Sequence, residues 1–311
     1  MPESSQTGLF HPAQGLHRLR YMESFTGEGP GSLAKTNGQQ KRRILVTGAA
    51  GNIGSYFAEH ASSNYELLLM VHKIDENARA LERFGKVVAA DITDLAKLKD
   101  LCAGVDTVVH MAGAPNPSST WDVLLPVNII GTYNIMVAAR HAGCRRVIFA
   151  SSIHAVSGYP PDVQVKTTDP VNPGDLYGVS KCFGEALSRY MAEQEGVSVI
   201  ALRIGAFQPL SRAKNPDSIA MMDAYVSHRD LHQLLVKCIE VENVRFAILN
   251  GLSDNRFKRL DISDARELVG YEPVDDLTEL NPRLKHLELS ETVAAHNLSD
   301  EKQESGLRND L

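Results

Sequence analysis

The sequence predicts an α/β fold, a doubly wound parallel sheet with a small C-terminal region for substrate. Three observations carry this. Short, wholly apolar runs recur along the chain, and such runs suit strands covered on both faces. Stretches of helical period separate them, the alternation that builds parallel sheets from βαβ units. The first run leads directly into a glycine-rich turn, as in a Rossmann dinucleotide-binding unit.

Residues 1–40 are rich in Gly, Ser, Gln and Pro without a sustained period, and are expected to form a disordered extension. Strands are expected at 44–46, 67–71, 87–90, 107–110, 147–150, 199–202 and 246–249. Helices are expected around Leu95, Leu98 and Leu101, and over 129–140, 177–193 and 231–239. This organisation assigns 41–205 to a dinucleotide-binding domain and 206–282 to a small substrate-binding region, helped by a flap at 155–176. Residues 283–311 then form a tail, partly disordered.

Composition narrows the partners. The chain is 43% hydrophobic and 23% charged, which excludes collagen, wholesale disorder and a disulfide scaffold. A net charge of −6 lacks the basic surplus that nucleic acid selects. Continuous apolar runs such as 67–71 fall far short of the roughly 20 residues of a membrane helix. The first 40 residues have no apolar core of a secretory signal and carry Glu3, Glu23 and Glu28, unlike a transit peptide. Cys102, Cys144, Cys182 and Cys238 have no paired metal-type spacing and read as reduced thiols. The expected partner is a small molecule, with neither nucleic acid nor membrane involved, and the expected location is cytoplasmic.

Residues 47–54 read Thr-Gly-Ala-Ala-Gly-Asn-Ile-Gly. Gly48 permits the tight turn, Gly51 lets a pyrophosphate approach the backbone, and Gly54 lets the next helix pack on the strand. Asn52 and Ile53 open that helix, whose free N–H groups and positive dipole end attract phosphate. At the end of the second strand, where an acidic side chain would bind the ribose of NAD, stand His72 and Lys73, with Asp75 later. A positive side chain there suits the 2′-phosphate of NADP, so the cofactor is NAD or NADP. Asp91 and Ile92 follow the third strand, at the place of an adenine contact or a helix cap. His110 ends the fourth strand as a structural residue.

Tyr177 and Lys181, four apart in a predicted helix, share one face. A nearby ammonium lowers a phenol from its ordinary pKa of about 10 toward working pH, which suits a general base for an alcohol. Ser151 and Ser152 end the fifth strand, where open α/β sheets place ligands, and Ser152 can donate to a substrate oxygen. Asn128 is expected to begin a helix and to hold a water linked to Lys181. Ser227 is read as a helix cap with Asp230 completing a capping box, and Trp121 as pocket lining or packing.

These stretches, with Asp91-Ile92, residues 110–113 and residues 203–205, resemble the extended short-chain dehydrogenase/reductase family, also called NAD-dependent epimerase/dehydratase, over about 43–273. They are most like its uronate dehydrogenase branch. The resemblance implies Tyr177 as base, Lys181 as its electrostatic partner and ribose anchor, Ser152 as orienter and Asn128 as a link in the proton relay. It places Met111, Ala112 and Gly113 at the cofactor, and Ser151, Ser152, Ile153, His154 and Ala206 at the substrate. It also implies a homodimer through helices 129–140 and 177–193. The sequence departs from the branch in the substrate positions: Ile153 replaces Asn, Ala206 replaces Ser, and Ala220 replaces the Arg that grips a sugar carboxylate. The expected function is NAD(P)-dependent hydride transfer on a small sugar-like hydroxyl or carbonyl, with an altered pocket. A nucleotide-sugar 4-epimerase or dehydratase that retains NAD, and a non-catalytic dinucleotide sensor, are the alternatives.

Overall fold

Every one of the seven apolar runs becomes a strand of one parallel sheet. The computed structural model describes residues 41–284; the expected extension at 1–40 and all but the start of the expected tail lie outside the described residues. The strands are β1 Arg43–Thr47, β2 Glu66–Val71, β3 Lys86–Ala89, β4 Thr107–His110, β5 Arg146–Ser152, β6 Ser198–Ile204, β7 Ala206–Gln208, β8 Tyr225–Ser227 and β9 Phe246–Gly251. The main sheet runs β3-β2-β1-β4-β5-β6-β9, all neighbours parallel. The strand order reverses between β1 and β4, which opens a crevice at the carboxyl ends of the strands.

The helices are α1 Asn52–Ala61, α2 Glu76–Ala80, α3 Leu95–Cys102, α4 Trp121–Leu124, α5 Gly131–His141, α6 Leu176–Glu193, α7 Leu210–Ala213, α8 His228–Glu240, α9 Ser263–Val269 and α10 Leu277–Leu280. Alternating strand residues feed two cores, as the two-residue period of a strand requires. Ile44 and Val46 join Phe57 and Ala58 of α1 and Leu231, Leu234 and Leu235 of α8 on one face. Leu45 and Val108 join Leu98 of α3 and Ile135 and Met136 of α5 on the other.

Three features were not foreseen. The short parallel pair β7–β8 is three residues per strand, too brief for a periodic signal. The expected boundary at 205 is crossed by the main sheet: β9 pairs with β6, and α8 packs beside α1. The run in β9 needs cover on both faces and finds it at the sheet edge. Finally, α4 and α5 are joined by a π-wound turn, Leu125–Ile130, into one helix over Trp121–His141. It is long and apolar enough to cross a membrane, with mean hydropathy 1.4. Half of it is buried, α5 packing against α3 and α6, so its apolar content is that of a core helix.

Candidate active site

The turn after β1 is built backbone on backbone. Gly48 has φ +67°, and a Cβ there would lie 2.7 Å from the Ala112 nitrogen, so the turn presses on the loop after β4. At Gly54 a Cβ would lie 2.4 Å from the Gly48 oxygen, which is why α1 can seat on β1. Gly51 caps α1 without a side-chain hydrogen bond. The first N–H groups of the helix are therefore left for an anion.

A crevice of about 1160 Å³ runs from this turn across the ends of β2, β3, β4 and β5. All the expected cofactor residues border it: Gly48, Gly51, Asn52, Ile53, Gly54, His72, Asp91, Ile92, Met111, Ala112 and Gly113, with Tyr177 and Lys181. The Asp91 carboxylate accepts from the nitrogen and hydroxyl of Thr93, each at 2.8 Å, and these bonds hold it below the usual carboxylate range. The cap of α3 is Asp94 instead. Asp75 accepts from the Ala78 nitrogen at 3.0 Å as the cap of α2, so its carboxylate serves that helix.

Asp175 caps α6, accepting from the Gly178 nitrogen at 2.7 Å. The helix so started presents Tyr177 and Lys181 on one face, the Lys181 ammonium 5.5 Å from the Tyr177 ring centre. Lys181 is buried and donates to the Ala150 carbonyl at 2.8 Å; burial brings it down to about 8. Burial pushes the Tyr177 phenol up, while a hydrogen bond with Ser152 pulls it down. In the chain by itself desolvation is the largest effect on the phenol, and the Lys181 ammonium, held at Ala150, stands 5.5 Å from the ring centre.

Asn128 lies inside the long helix, at its π-wound turn, and not at a helix start as expected. The turn aims its carboxamide at two neighbours, accepting from the Ala114 nitrogen at 2.8 Å and donating to the Ser180 hydroxyl at 2.9 Å. It therefore reaches α6 through Ser180, the residue before Lys181. Such turns recur at functional sites because one extra residue re-aims a side chain.

The paired serines divide, as adjacent strand residues must. Ser151 borders the crevice, but its hydroxyl donates to Glu185 at 2.6 Å. The Ser152 hydroxyl faces Tyr177 and accepts from the His154 nitrogen at 3.2 Å. His154 holds Asp175 through Nδ1 at 2.7 Å and stands edge-on to Tyr177. Ile153, His154 and Ala206 border the crevice. Ala220, Arg212 and Lys214 are exposed and lie outside it, as does Trp121.

His110 is fully buried, 2.7 Å from the Thr47 hydroxyl, and burial lowers it to about 3; it is a neutral structural residue. Ser227 caps α8 through the Asp230 nitrogen. The capping box does not close, because the Asp230 carboxylate accepts from Val274, Asp275 and Ser253. Sequence reasoning missed Phe207 and Ala224 in the crevice wall; neither carries a periodic or motif signal. It also missed Asp175, although an aspartate three residues before Gly178 has the spacing of a helix cap. Among the described residues no cluster of side chains suits a metal ion.

The geometry agrees with comparisons to known proteins. The model of the NAD dependent epimerase/dehydratase family matches residues 44–222. The chain is 33% identical to a uronate dehydrogenase from Pseudomonas putida, over 75% of this chain and 84% of the relative. It is 33% identical to an L-arabinose 1-dehydrogenase (NAD(P)(+)) from Haloferax volcanii, over 75% of this chain and 97% of the relative. The crystal structure of a glucuronic acid dehydrogenase from Chromohalobacter salexigens superposes with a TM-score of 0.70 at 31% identity, covering 76% of this chain and 86% of that one. With more than half its length matched, and with the glycine turn, crevice and Tyr–Lys pair in one place, the chain belongs to the NAD dependent epimerase/dehydratase family.

Proposed function

We propose that this protein is an NAD-dependent dehydrogenase that oxidises a hydroxyl of a small, sugar-like substrate. The observation that carries the reading is the convergence of Tyr177, Lys181 and Ser152 at the end of β5, in the crevice that the glycine turn opens. The names of similar proteins, a uronate and an arabinose dehydrogenase, bring the sugar-like substrate.

The cradle fits the cofactor. Gly48 and Gly54 stand where any side chain would strike backbone. The uncapped start of α1 would hold the pyrophosphate, His72, Asp91 and Ile92 the adenosine, and Met111, Ala112, Gly113 and Lys181 the nicotinamide end. NAD bound there supplies the acceptor for the hydride that leaves the substrate carbon with its electron pair.

Tyr177 as phenolate takes the hydroxyl proton, and the carbon–oxygen bond becomes a carbonyl as the hydride departs. Ser152 donates to the same oxygen and fixes its distance from the phenol. Lys181, with a pKa of about 8, remains positive at neutral pH and acts against the burial that disfavours the phenolate. Asn128 holds α6 through Ser180 and so keeps Lys181 in register. Replacing Tyr177 by Phe tests the assignment: turnover is expected to collapse while NAD still binds, and wild-type turnover would refute it.

The protein is further proposed to be a homodimer. Trp121, Val123, Ile130 and Tyr133 on the long helix, and Leu176, Val179 and Tyr190 on α6, are large, apolar and exposed. Exposed apolar side chains on two neighbouring helices suit cover by a second subunit. Light scattering on the purified protein checks this, with Tyr133→Arg expected to release monomer.

A further inference from the structure

We infer that the substrate is uncharged: an aldose that carries no carboxylate or phosphate and turns an apolar or neutral exocyclic edge to the wall formed by Ile153, Ala206 and Phe207. The inference rests on the dehydrogenase reading above and narrows it to a substrate class.

The wall is placed by the sheet. Ser152 pairs with Ile204 across β5 and β6. The chain beyond each strand therefore flanks the oxygen that Ser152 would hold. Ile153 follows on one side, and Ala206 and Phe207 on the other. Ala224, just before β8, joins them, since its carbonyl accepts from the Ala206 nitrogen at 2.7 Å. These side chains offer van der Waals contact and no charge.

The arginines nearby are already engaged, and Arg212 and Lys214 lie outside the crevice lining. Arg203 is buried against Glu185 in a two-point pair. Arg229 binds Asp275, and Arg259 binds Asp223 and the carbonyls of Ser157 and Tyr159. Lys181 donates to Ala150 beside Tyr177, at the reacting end. Among the described residues, no arginine borders the crevice.

What polar groups remain do not favour an anion. His154, the imidazole that borders the crevice at this end, is tied by Nδ1 to the Asp175 carboxylate, and the His228 ring lies stacked on Phe207 outside the crevice lining. A carboxylate or phosphate placed here would lose water and gain no cationic partner, which is strongly unfavourable. Ring hydroxyls, by contrast, can use Ser152, the His154 ring and backbone groups.

The test is a matched series. Purified protein with NAD is offered pyranoses of gluco and galacto configuration that differ only at C6, as carboxylate, phosphate ester, hydroxymethyl, methyl or, in the pentose, hydrogen. NADH formation gives kcat/KM for each. The best neutral member is expected to exceed both charged members by more than tenfold in its series. A smaller ratio, or a charged member in front, overturns the inference and leaves the dehydrogenase reading intact. If NAD binds, seen as a thermal shift, yet no member of either series reduces it, the sugar dehydrogenase reading itself fails and the inference with it. In a second arm, Ala206→Arg places a guanidinium in the wall. It is expected to move the charged-to-neutral ratio at least tenfold toward the carboxylate, whatever it does to absolute rates; an unmoved ratio overturns the assignment of this wall.

Discussion

Arg203 holds Glu185 through two hydrogen bonds of 2.9 Å, where both side chains are almost wholly buried. Ser151 adds a third bond to the same carboxylate at 2.6 Å. One acid thus ties together β5, β6 and α6. It seats the helix that carries Tyr177 and Lys181 against the strand that ends in Ser152. Removing the charge leaves a buried guanidinium uncompensated. Glu185→Gln is therefore expected to lose about 3–5 kcal/mol of stability, read as a lowered midpoint in urea.

Tyr177→Phe keeps the ring and removes the proton acceptor. The rate of oxidation is expected to fall by about 10²–10⁴-fold, the usual worth of a positioned acid or base. NAD affinity, measured by calorimetry, should change little. Because oxidation needs the phenolate and burial pushes the phenol up, the forward rate should rise with pH and the reverse rate fall.

His72 borders the crevice at the end of β2, while the nearest acid on that loop, Asp75, caps α2. Among the described residues, no acidic side chain borders the crevice at the end of β2, where most NAD sites place one for the ribose hydroxyls. His72→Asp supplies one and opposes a 2′-phosphate. The ratio of kcat/KM for NAD over NADP is expected to rise at least tenfold.

Gly48→Ala forces a side chain into a left-handed backbone and onto the loop at Ala112. The strain is about 1–3 kcal/mol from the backbone alone, before the clash at 2.7 Å is relieved. Thermal stability should drop, and NAD should bind at least tenfold more weakly as the turn shifts from the pyrophosphate.

His110 links stability to acid. Its pKa is about 3 in the folded chain and about 6.5 when unfolded. Above pH 6.5 neither state is protonated there, and the histidine contributes no pH dependence. As pH falls from 6.5 toward 3, the unfolded chain takes up a proton that the folded chain refuses. Stability then drops with a slope of up to about 1.4 kcal/mol per pH unit. His110→Gln should flatten that part of the profile of denaturation midpoint against pH.

Much of this molecule is legible along the chain because its signals are local. A strand buried on both faces must be apolar throughout, so the central strands β1, β2, β4, β5 and β6 announce themselves, and the edge strands β3 and β9 keep enough of that apolar run to be read. A turn that admits a pyrophosphate must be glycine, so residues 47–54 do too, and Tyr177 and Lys181 share a face because a helix repeats every 3.6 residues. What depends on distant partners is silent. The sequence contains Arg203, Glu185 and Ser151, but only the stacking of α6 on β5 and β6 makes them one cluster. It contains Asn128, but the π-wound turn that aims it at Ser180 arises from packing. It predicts an ammonium beside a phenol, and the structure decides how deeply both are buried. The wall of Ile153, Ala206, Phe207 and Ala224 comes from two strand ends and a strand pair too short to read in advance. Fold and cofactor cradle were therefore written in the sequence, where backbone geometry restricts residue type. The charge state of the site and the character of its substrate wall were decided by tertiary structure, because desolvation and pairing depend on which side chains meet.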